Sequence, residues 1–145
     1  MSAGRICVRS VDIAEIDESA TLIAQRMHAR KVGTVVVVDK DRRPLGLVTD
    51  RDLVVRVMAA DRDPNQTGVS EVMTRLPHTV SEELPVEEAL GIMRCGPYRR
   101  LPVVDREGRL AGILSLDDIL DLLSEECADI GRLVKKESPE SLATS

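Results

Sequence analysis

Apolar residues recur at helical spacing in two segments of the chain. The first segment follows Ser19, a residue type favoured immediately before a helix, and the second follows Pro85, which suits a first helical turn. The apolar positions are Ala20, Ile23, Ala24 and Met27 in the first segment, and Val86, Ala89, Leu90 and Met93 in the second. This pattern predicts two helices, each with one apolar face.

Each predicted helix is followed by a short apolar run, at residues 34–38 and 101–104. Continuous β-branched runs of this length are typical of strands buried on both faces. A polar turn follows each run, and a second apolar run begins at Gly46 or Gly112. The pattern therefore predicts two β-hairpins.

A further helix is predicted to start near Asp50 in the first half and near Leu116 in the second. Aspartates cluster in both first turns, where the helix dipole favours a carboxylate. Short strands are predicted ahead of the first helices, around residues 11–16 and 79–80. The predicted unit is thus a β-α-β-β-α arrangement of the α/β class, and it occurs twice.

The two halves share one register over a long stretch. Residues 32–53 align with 98–119 without a gap, at a constant offset of 66 positions. Identical residues at this offset include Met27 and Met93, Asp39 and Asp105, Arg43 and Arg109, Gly46 and Gly112, and Asp52 and Asp118. The chain is therefore a tandem repeat. We expect the first repeat at residues 8–59, a polar linker at 60–68, the second repeat at 69–126, and a helical extension and tail at 127–145.

One motif ends the second strand of each repeat. A glycine enters the strand, a hydroxyl residue (Thr49 or Ser115) ends it, and an aspartate (Asp52 or Asp118) follows three positions later. One interpretation is a capping box at the helix start. The other is a ligand site, because helix N–H groups suit a phosphate and a carboxylate suits a ribose diol. The recurrence of the motif in one register favours the second interpretation.

With this doubled motif, the segments 101–105 (LPVVD) and 69–74 (VSEVMT) resemble the cystathionine-β-synthase (CBS) domain family. The resemblance covers about residues 11–125 and extends to stand-alone CBS pairs, since Asp63-Pro64-Asn65 is similar to the linker of hypoxic-response-type members. It implies two β-α-β-β-α units with their sheets face to face, related by a pseudo-two-fold axis. It also implies a homodimer and an adenosine-containing ligand, with AMP, ADP or ATP favoured over NAD or S-adenosylmethionine.

The resemblance also assigns site residues. Asp52 and Asp118 would hold ribose hydroxyls, Thr49 and Ser115 would lie beside them, and Arg100 would bind phosphate. The backbone of two segments would face the adenine, namely Ile13, Ala14, Thr79, Val80 and Ser81.

The two sites are not expected to be equal. The second repeat has Arg99 and Arg100 at its strand entrance, whereas the nearest cation in the first repeat is Lys31. Because a guanidinium can bind phosphate through two hydrogen bonds, we expect one good site and one weak or empty site. The alternative for the two arginines is a solvated strand end.

Composition narrows the classes of function that fit this chain. Tyr98 is the sole aromatic residue of the 145 and the formal net charge is −5, which argue against a nucleic-acid partner. No apolar stretch approaches the roughly 20 residues needed to span a bilayer, and no signal peptide is evident. The three cysteines are widely spaced, which favours a reduced, cytoplasmic protein without a metal site; the alternative is a disulfide between two copies through Cys7 or Cys127. No catalytic arrangement stands out.

An apolar stripe continues along residues 116–136, beyond the end of the repeat. Two interpretations remain open, packing back onto its own pair and a contact between two copies. The polar segment 137–145 is expected to be disordered. The sequence favours a regulatory module that senses an adenine nucleotide and acts on an unknown effector protein. The alternative is a structural or interaction protein of the same fold without a nucleotide; an enzyme or a cysteine redox switch is least favoured.

Overall fold

The computed structural model describes residues 1–75, 78–96 and 98–136. The first half contains α1 (Ala3–Ile6), β1 (Ile13–Glu15), α2 (Ala20–Arg30), β2 (Thr34–Val38), β3 (Pro44–Thr49) and α3 (Asp50–Leu53), which continues as a π-helical segment (Val54–Met58). The second half contains α4 (Val69–Val72), β4 (Thr74–Arg75), β5 (Val80–Ser81), α5 (Val86–Cys95), β6 (Arg100–Val104), β7 (Leu110–Ser115) and α6 (Leu116–Lys136).

The strands form two sheets of the same design. One has the order β1-β2-β3-β4 and the other β5-β6-β7, and in each a parallel pair is followed by an antiparallel hairpin. Both hairpins shift register at equivalent places, after Val37 and after Val103. The predicted tandem α/β unit is therefore confirmed.

Two predicted strand starts were wrong by two residues, and one predicted helix start was wrong by one. The second strand of each hairpin begins at Pro44 and at Leu110, because these residues already pair with Val38 and Val104. Pro85 lies before α5 rather than in its first turn, because its own carbonyl accepts the first hydrogen bonds of that helix.

Three apolar clusters stabilise this arrangement. Two are the cores of the individual repeats, where α2 packs on the first sheet and α5 on the second. The third lies between the sheets, where Val36 and Val38 meet Leu110 and Ile113. The Leu110 N–H also donates to the carbonyl of Arg42 at 2.9 Å, which joins the two hairpins. The two sheets therefore pack against each other, as the resemblance implied.

The N-terminal segment of each half docks on the other half. In the first half, the N–H of Ala3 donates to the carbonyl of Leu84 at 2.8 Å, and Val8 forms a bridge with Ile113 of the second sheet. In the second half, the Val69 N–H donates to the carbonyl of Glu18 at 2.8 Å and β4 pairs with β3 of the first sheet. We call this reciprocal docking the segment exchange.

The helix α6 leaves the folded body of the chain. Ile119 is buried in the core of the second repeat, whereas every residue from Leu123 to Lys136 is exposed. Of the two interpretations offered for its apolar stripe, packing back onto its own pair is therefore wrong. Within the described ranges no helix is both long and apolar enough to cross a membrane. The predicted tail at 137–145 lies outside the described residues.

Candidate functional site

Both copies of the strand-end motif form a reciprocal capping box. In the first repeat the N–H of Thr49 donates to Oδ2 of Asp52 at 2.9 Å, and the N–H of Asp52 donates to Oγ1 of Thr49 at 3.2 Å. In the second repeat the N–H of Ser115 donates to Oδ2 of Asp118 at 3.2 Å, and the N–H of Asp118 donates to Oγ of Ser115 at 3.1 Å. The capping interpretation therefore holds in both repeats.

The two aspartates differ in what their remaining oxygen contacts. Oδ1 of Asp52 lies 4.0 Å from Nε of Arg56, one turn further along the helix. The position equivalent to Arg56 in the second repeat is Leu122, which carries no charge. Oδ1 of Asp118 makes no hydrogen bond or ion pair with any described residue, because Oδ2 receives both Ser115 contacts. Oδ1 of Asp118 is therefore a free acceptor, whereas a guanidinium lies near Oδ1 of Asp52 without forming a hydrogen bond to it.

Asp118 lines an open cleft of about 290 Å³ that both repeats build. The second repeat contributes Arg100, Ser115 and Asp118, and the first contributes Gly33 and Thr34 from the entrance of β2. The chain just before β1 closes the remaining side, including Val11. We call this space the Asp118 cleft.

Arg100 and Asp118 lie on the same cleft without contacting each other. Arg100 pairs in register with Ser115 across the β6–β7 hairpin, which places its side chain near the capping box. Its guanidinium is exposed and forms no hydrogen bond or ion pair within the described part of the chain. A cation and a carboxylate acceptor thus flank one space, and both remain available to a ligand.

The other predicted site residues lie elsewhere. Thr49 ends β3 and Asp52 lies in the first turn of α3, and neither lines the Asp118 cleft. Ala14 and Val80 are buried in the cores of their repeats, and Ile13 packs between the sheets. Thr79 and Ser81 are exposed, and neither lines the cleft.

Two groups of cleft residues escaped sequence reasoning. Val11 and Asp12, immediately before the predicted strand, line the cleft in place of the β1 residues themselves. Gly33 and Thr34 line it from the opposite repeat. The offset of 66 positions held a signal for them, since Gly33 and Thr34 are the counterparts of Arg99 and Arg100.

Metal ligands are not assembled in the part of the chain that the structure describes. No three side chains among its histidines, cysteines, aspartates and glutamates come close enough together to hold an ion. His78 instead lies edge-on to the ring of Tyr98, with their centroids 5.8 Å apart.

The sequence profile of the CBS domain matches this chain twice, at residues 3–59 and 69–125. The chain belongs to the CBS-domain family. Both matches begin at the docking segments of the segment exchange, so α1 and α4 are equivalent parts of two CBS domains. CBS pairs of this kind are generally regulatory modules without catalytic activity.

Several CBS proteins are similar to this chain. Hypoxic response protein 1 of Mycobacterium tuberculosis is 34% identical over 125 residues, which cover 86% of this chain and 82% of the relative. A crystal structure of that protein with two coordinated zinc ions matches with a TM-score of 0.74 at 30% identity, covering 83% of this chain and 98% of the other. The chain is thus similar to a stand-alone CBS pair.

Two further structures of the same fold contain adenosine compounds. The cytosolic domain of the Mg²⁺ channel MgtE, in complex with ATP, has a TM-score of 0.71 at 29% identity, covering 83% of this chain and 48% of the other. The CBS pair of protein MJ0100, in complex with 5′-methylthioadenosine and S-adenosylmethionine, has a TM-score of 0.72 at 24% identity, covering 85% of this chain and 99% of the other.

Proposed function

We propose that this CBS pair is a non-catalytic sensor that binds an adenine mononucleotide in the Asp118 cleft and passes occupancy to an effector protein. The observation that carries the proposal is the pair of available groups on that cleft. Oδ1 of Asp118 can accept a hydrogen bond from a ribose hydroxyl, and the guanidinium of Arg100 can bind a phosphate in a bidentate manner. A ligand that carries both groups would bridge the two side chains.

The size of the cleft favours a mononucleotide. Its volume of about 290 Å³ lies near the lower end of the range of roughly 300–1,000 Å³ in which small-molecule pockets fall. A dinucleotide such as NAD would extend well beyond it. The ATP bound by the similar MgtE domain supports an adenosine phosphate, so AMP, ADP and ATP are the proposed ligands.

We further propose that each chain binds one nucleotide. In the first repeat, Arg56 lies beside the oxygen of Asp52 that a ribose would need. Arg56 is also held in place, because it donates to the carbonyls of Val72 and Met73 at 2.9 and 3.0 Å. The site beside Asp52 is therefore the weak or empty nucleotide site.

Occupancy would be transmitted through the walls of the cleft. These walls come from both repeats and from the chain before β1, so a ligand that contacts them all fixes their relative positions. A bound nucleotide can shift the population of states only if it binds one arrangement better than another. The effector protein would recognise the favoured arrangement.

A CBS-fold interaction protein without a nucleotide is the second candidate. It is favoured by the complete capping boxes at Thr49 and Ser115, which account for the spacing that the two motifs share without any ligand. In that case both aspartates would serve only to stabilise helix starts.

The test compares Asp118→Ala with Asp52→Ala in isothermal titration calorimetry. Candidate ligands are AMP, ADP, ATP, NAD and S-adenosylmethionine, with guanosine nucleotides as controls. Both substitutions remove a capping carboxylate at a cost of about 1 kcal/mol, so their effects on stability are matched. We expect wild type and Asp52→Ala to bind one adenine nucleotide per chain, and Asp118→Ala to lose that binding. Equal losses would contradict the assignment to the Asp118 cleft. No binding by wild type would favour the interaction protein.

A further inference from the structure

The second half of α6 is exposed helix with an apolar stripe. The CBS-domain match ends at residue 125, whereas α6 continues to Lys136. Along this part Leu123 is 46% exposed, Ile130 is 60% exposed and Val134 is 66% exposed. Among the described residues of one copy, nothing buries these side chains.

The spacing of the stripe indicates what kind of partner fits it. One line of apolar positions along α6 is separated alternately by four and three residues, namely Leu116, Leu120, Leu123, Cys127, Ile130 and Val134, and Ile119, Leu122 and Leu133 widen the stripe on one side. The alternation of four and three is the spacing of the a and d positions in a two-stranded coiled coil. The stripe therefore fits another helix.

The charges of α6 indicate which helix would pair with this stripe. Acidic residues precede the middle of the exposed part, including Asp121 and Glu125, and basic residues follow it, including Arg132 and Lys135. An antiparallel pair of identical helices lays each acidic section alongside the basic section of the other copy. A parallel pair would instead lay like charges side by side, which is unfavourable.

We infer that residues 120–136 pair in antiparallel fashion with the same segment of a second copy of this chain. Centred between Cys127 and Ile130, the pairing places Leu123 of one copy opposite Val134 of the other, and Cys127 opposite Ile130. The contact is isologous, as a two-fold dimer requires, because the same seam and the same charge gradient serve both copies. The inference does not depend on the proposed nucleotide.

Two variants of the full chain test the pairing by sedimentation equilibrium. Ile130→Glu places a charge in the seam, and Ala128→Glu places the same charge on an exposed position two residues away. We expect wild type and Ala128→Glu to sediment at twice the chain mass of 15.9 kDa. We expect Ile130→Glu to dissociate, with a dimer dissociation constant raised more than about tenfold because a buried unpaired charge is costly.

Far-UV circular dichroism would show that the Ile130→Glu chain remains folded, since Ile130 contacts no core of its own copy. A monomeric wild type would overturn the inference. A dimer that resists Ile130→Glu, or one that dissociates equally with Ala128→Glu, would also overturn it.

Disulfide formation tests the direction of the pair, in a background where Cys7 and Cys95 are replaced by serine. A parallel pair would place the two Cys127 side chains opposite each other, at a separation from which a disulfide can form. The antiparallel pair places Cys127 opposite residue 130. We expect a mild oxidant to leave the Cys127 chains uncrosslinked and to crosslink them once Ile130→Cys is added. Rapid crosslinking through Cys127 alone would overturn the antiparallel arrangement.

Discussion

Sγ of Cys7 lies only 2.7 Å from the point where a Cβ atom of Gly112 would stand. The first repeat reproduces this close approach, since Sδ of Met73 lies 2.7 Å from the equivalent point on Gly46. Cys7 and Met73 belong to the docking segments of the segment exchange. The glycine of each strand-end motif is therefore required for packing, because it leaves room for the segment that arrives from outside its repeat.

Gly112→Ala should destabilise the protein by about 1–3 kcal/mol, because the added methyl group overpacks Cys7 and the carbonyl of Val8. Urea unfolding monitored by circular dichroism measures this change. Gly91→Ala is the control: nothing lies within 4 Å of its Cβ position, and alanine within α5 should stabilise the chain by about 0.5–1 kcal/mol. Equal effects of the two substitutions would contradict the packing role of Gly112.

Cys7 should react with thiol reagents far more slowly than Cys95 and Cys127. Burial raises the pKa of the Cys7 thiol, so less reactive thiolate is present at a given pH, and its sulfur is partly covered. The other two thiols are exposed. Labelling with a maleimide, followed by mass spectrometry of the peptides, gives the three rates. In urea Cys7 should become as reactive as the others; a fast reaction in the native protein would show that α1 undocks readily.

Arg100→Gln should weaken the binding of AMP and leave the binding of adenosine nearly unchanged. The loss for AMP should be about tenfold or more, since a hydrogen bond to a charged group contributes about 1.5–3 kcal/mol. Arg99→Gln is the matched control, because Arg99 is exposed but does not line the Asp118 cleft. Calorimetric titrations of the three proteins measure the difference. A similar loss for adenosine would place Arg100 away from the phosphate.

Protonation of Glu18 at acid pH should lower the stability of the protein. A hydrogen bond from Arg26 holds the pKa of Glu18 below its usual value. The contribution is therefore fully present above the unfolded-state pKa and is lost as the pH falls through the lower folded-state value. Glu18→Gln should lower the free energy of unfolding by about 1 kcal/mol at neutral pH.

The same substitution should flatten the decline in stability between about pH 5 and pH 3, because the titrating group has been removed. Glu87→Gln, at an exposed position of α5, should keep the slope of the wild type. Urea unfolding at a series of pH values separates these outcomes. An unchanged slope in Glu18→Gln would assign the acid sensitivity to other carboxylates.

The sequence was sufficient to predict the helices and strands that a local pattern of residues marks. Helical spacing located α2 and α5, and the strand-end motif located the starts of α3 and α6 at Asp50 and Leu116. It could not locate α1, because four residues are too few to show an apolar period. Nor could it show that Val8 pairs with Ile113, since that contact joins positions more than a hundred residues apart.

For the candidate site, the sequence predicted which side chains are present but not which groups contact them. Arg100, Ser115 and Asp118 were predicted, and the structure places all three on one cleft. The contact of Arg56 with Asp52 was not predicted, because it depends on how the helix after β3 continues. Local spacing specifies which groups are present, whereas the availability of each group depends on three-dimensional neighbours.

The segment exchange has a consequence for how the chain unfolds. Since α1 is held by the second repeat and α4 by the first, neither repeat keeps its complete sheet edge when the other melts. The boundary between the repeats in the sequence is therefore not a boundary between folding units. Cleavage within residues 60–68 would leave two fragments, each carrying the missing edge of the other. Such fragments would be complementary halves of one cooperative structure.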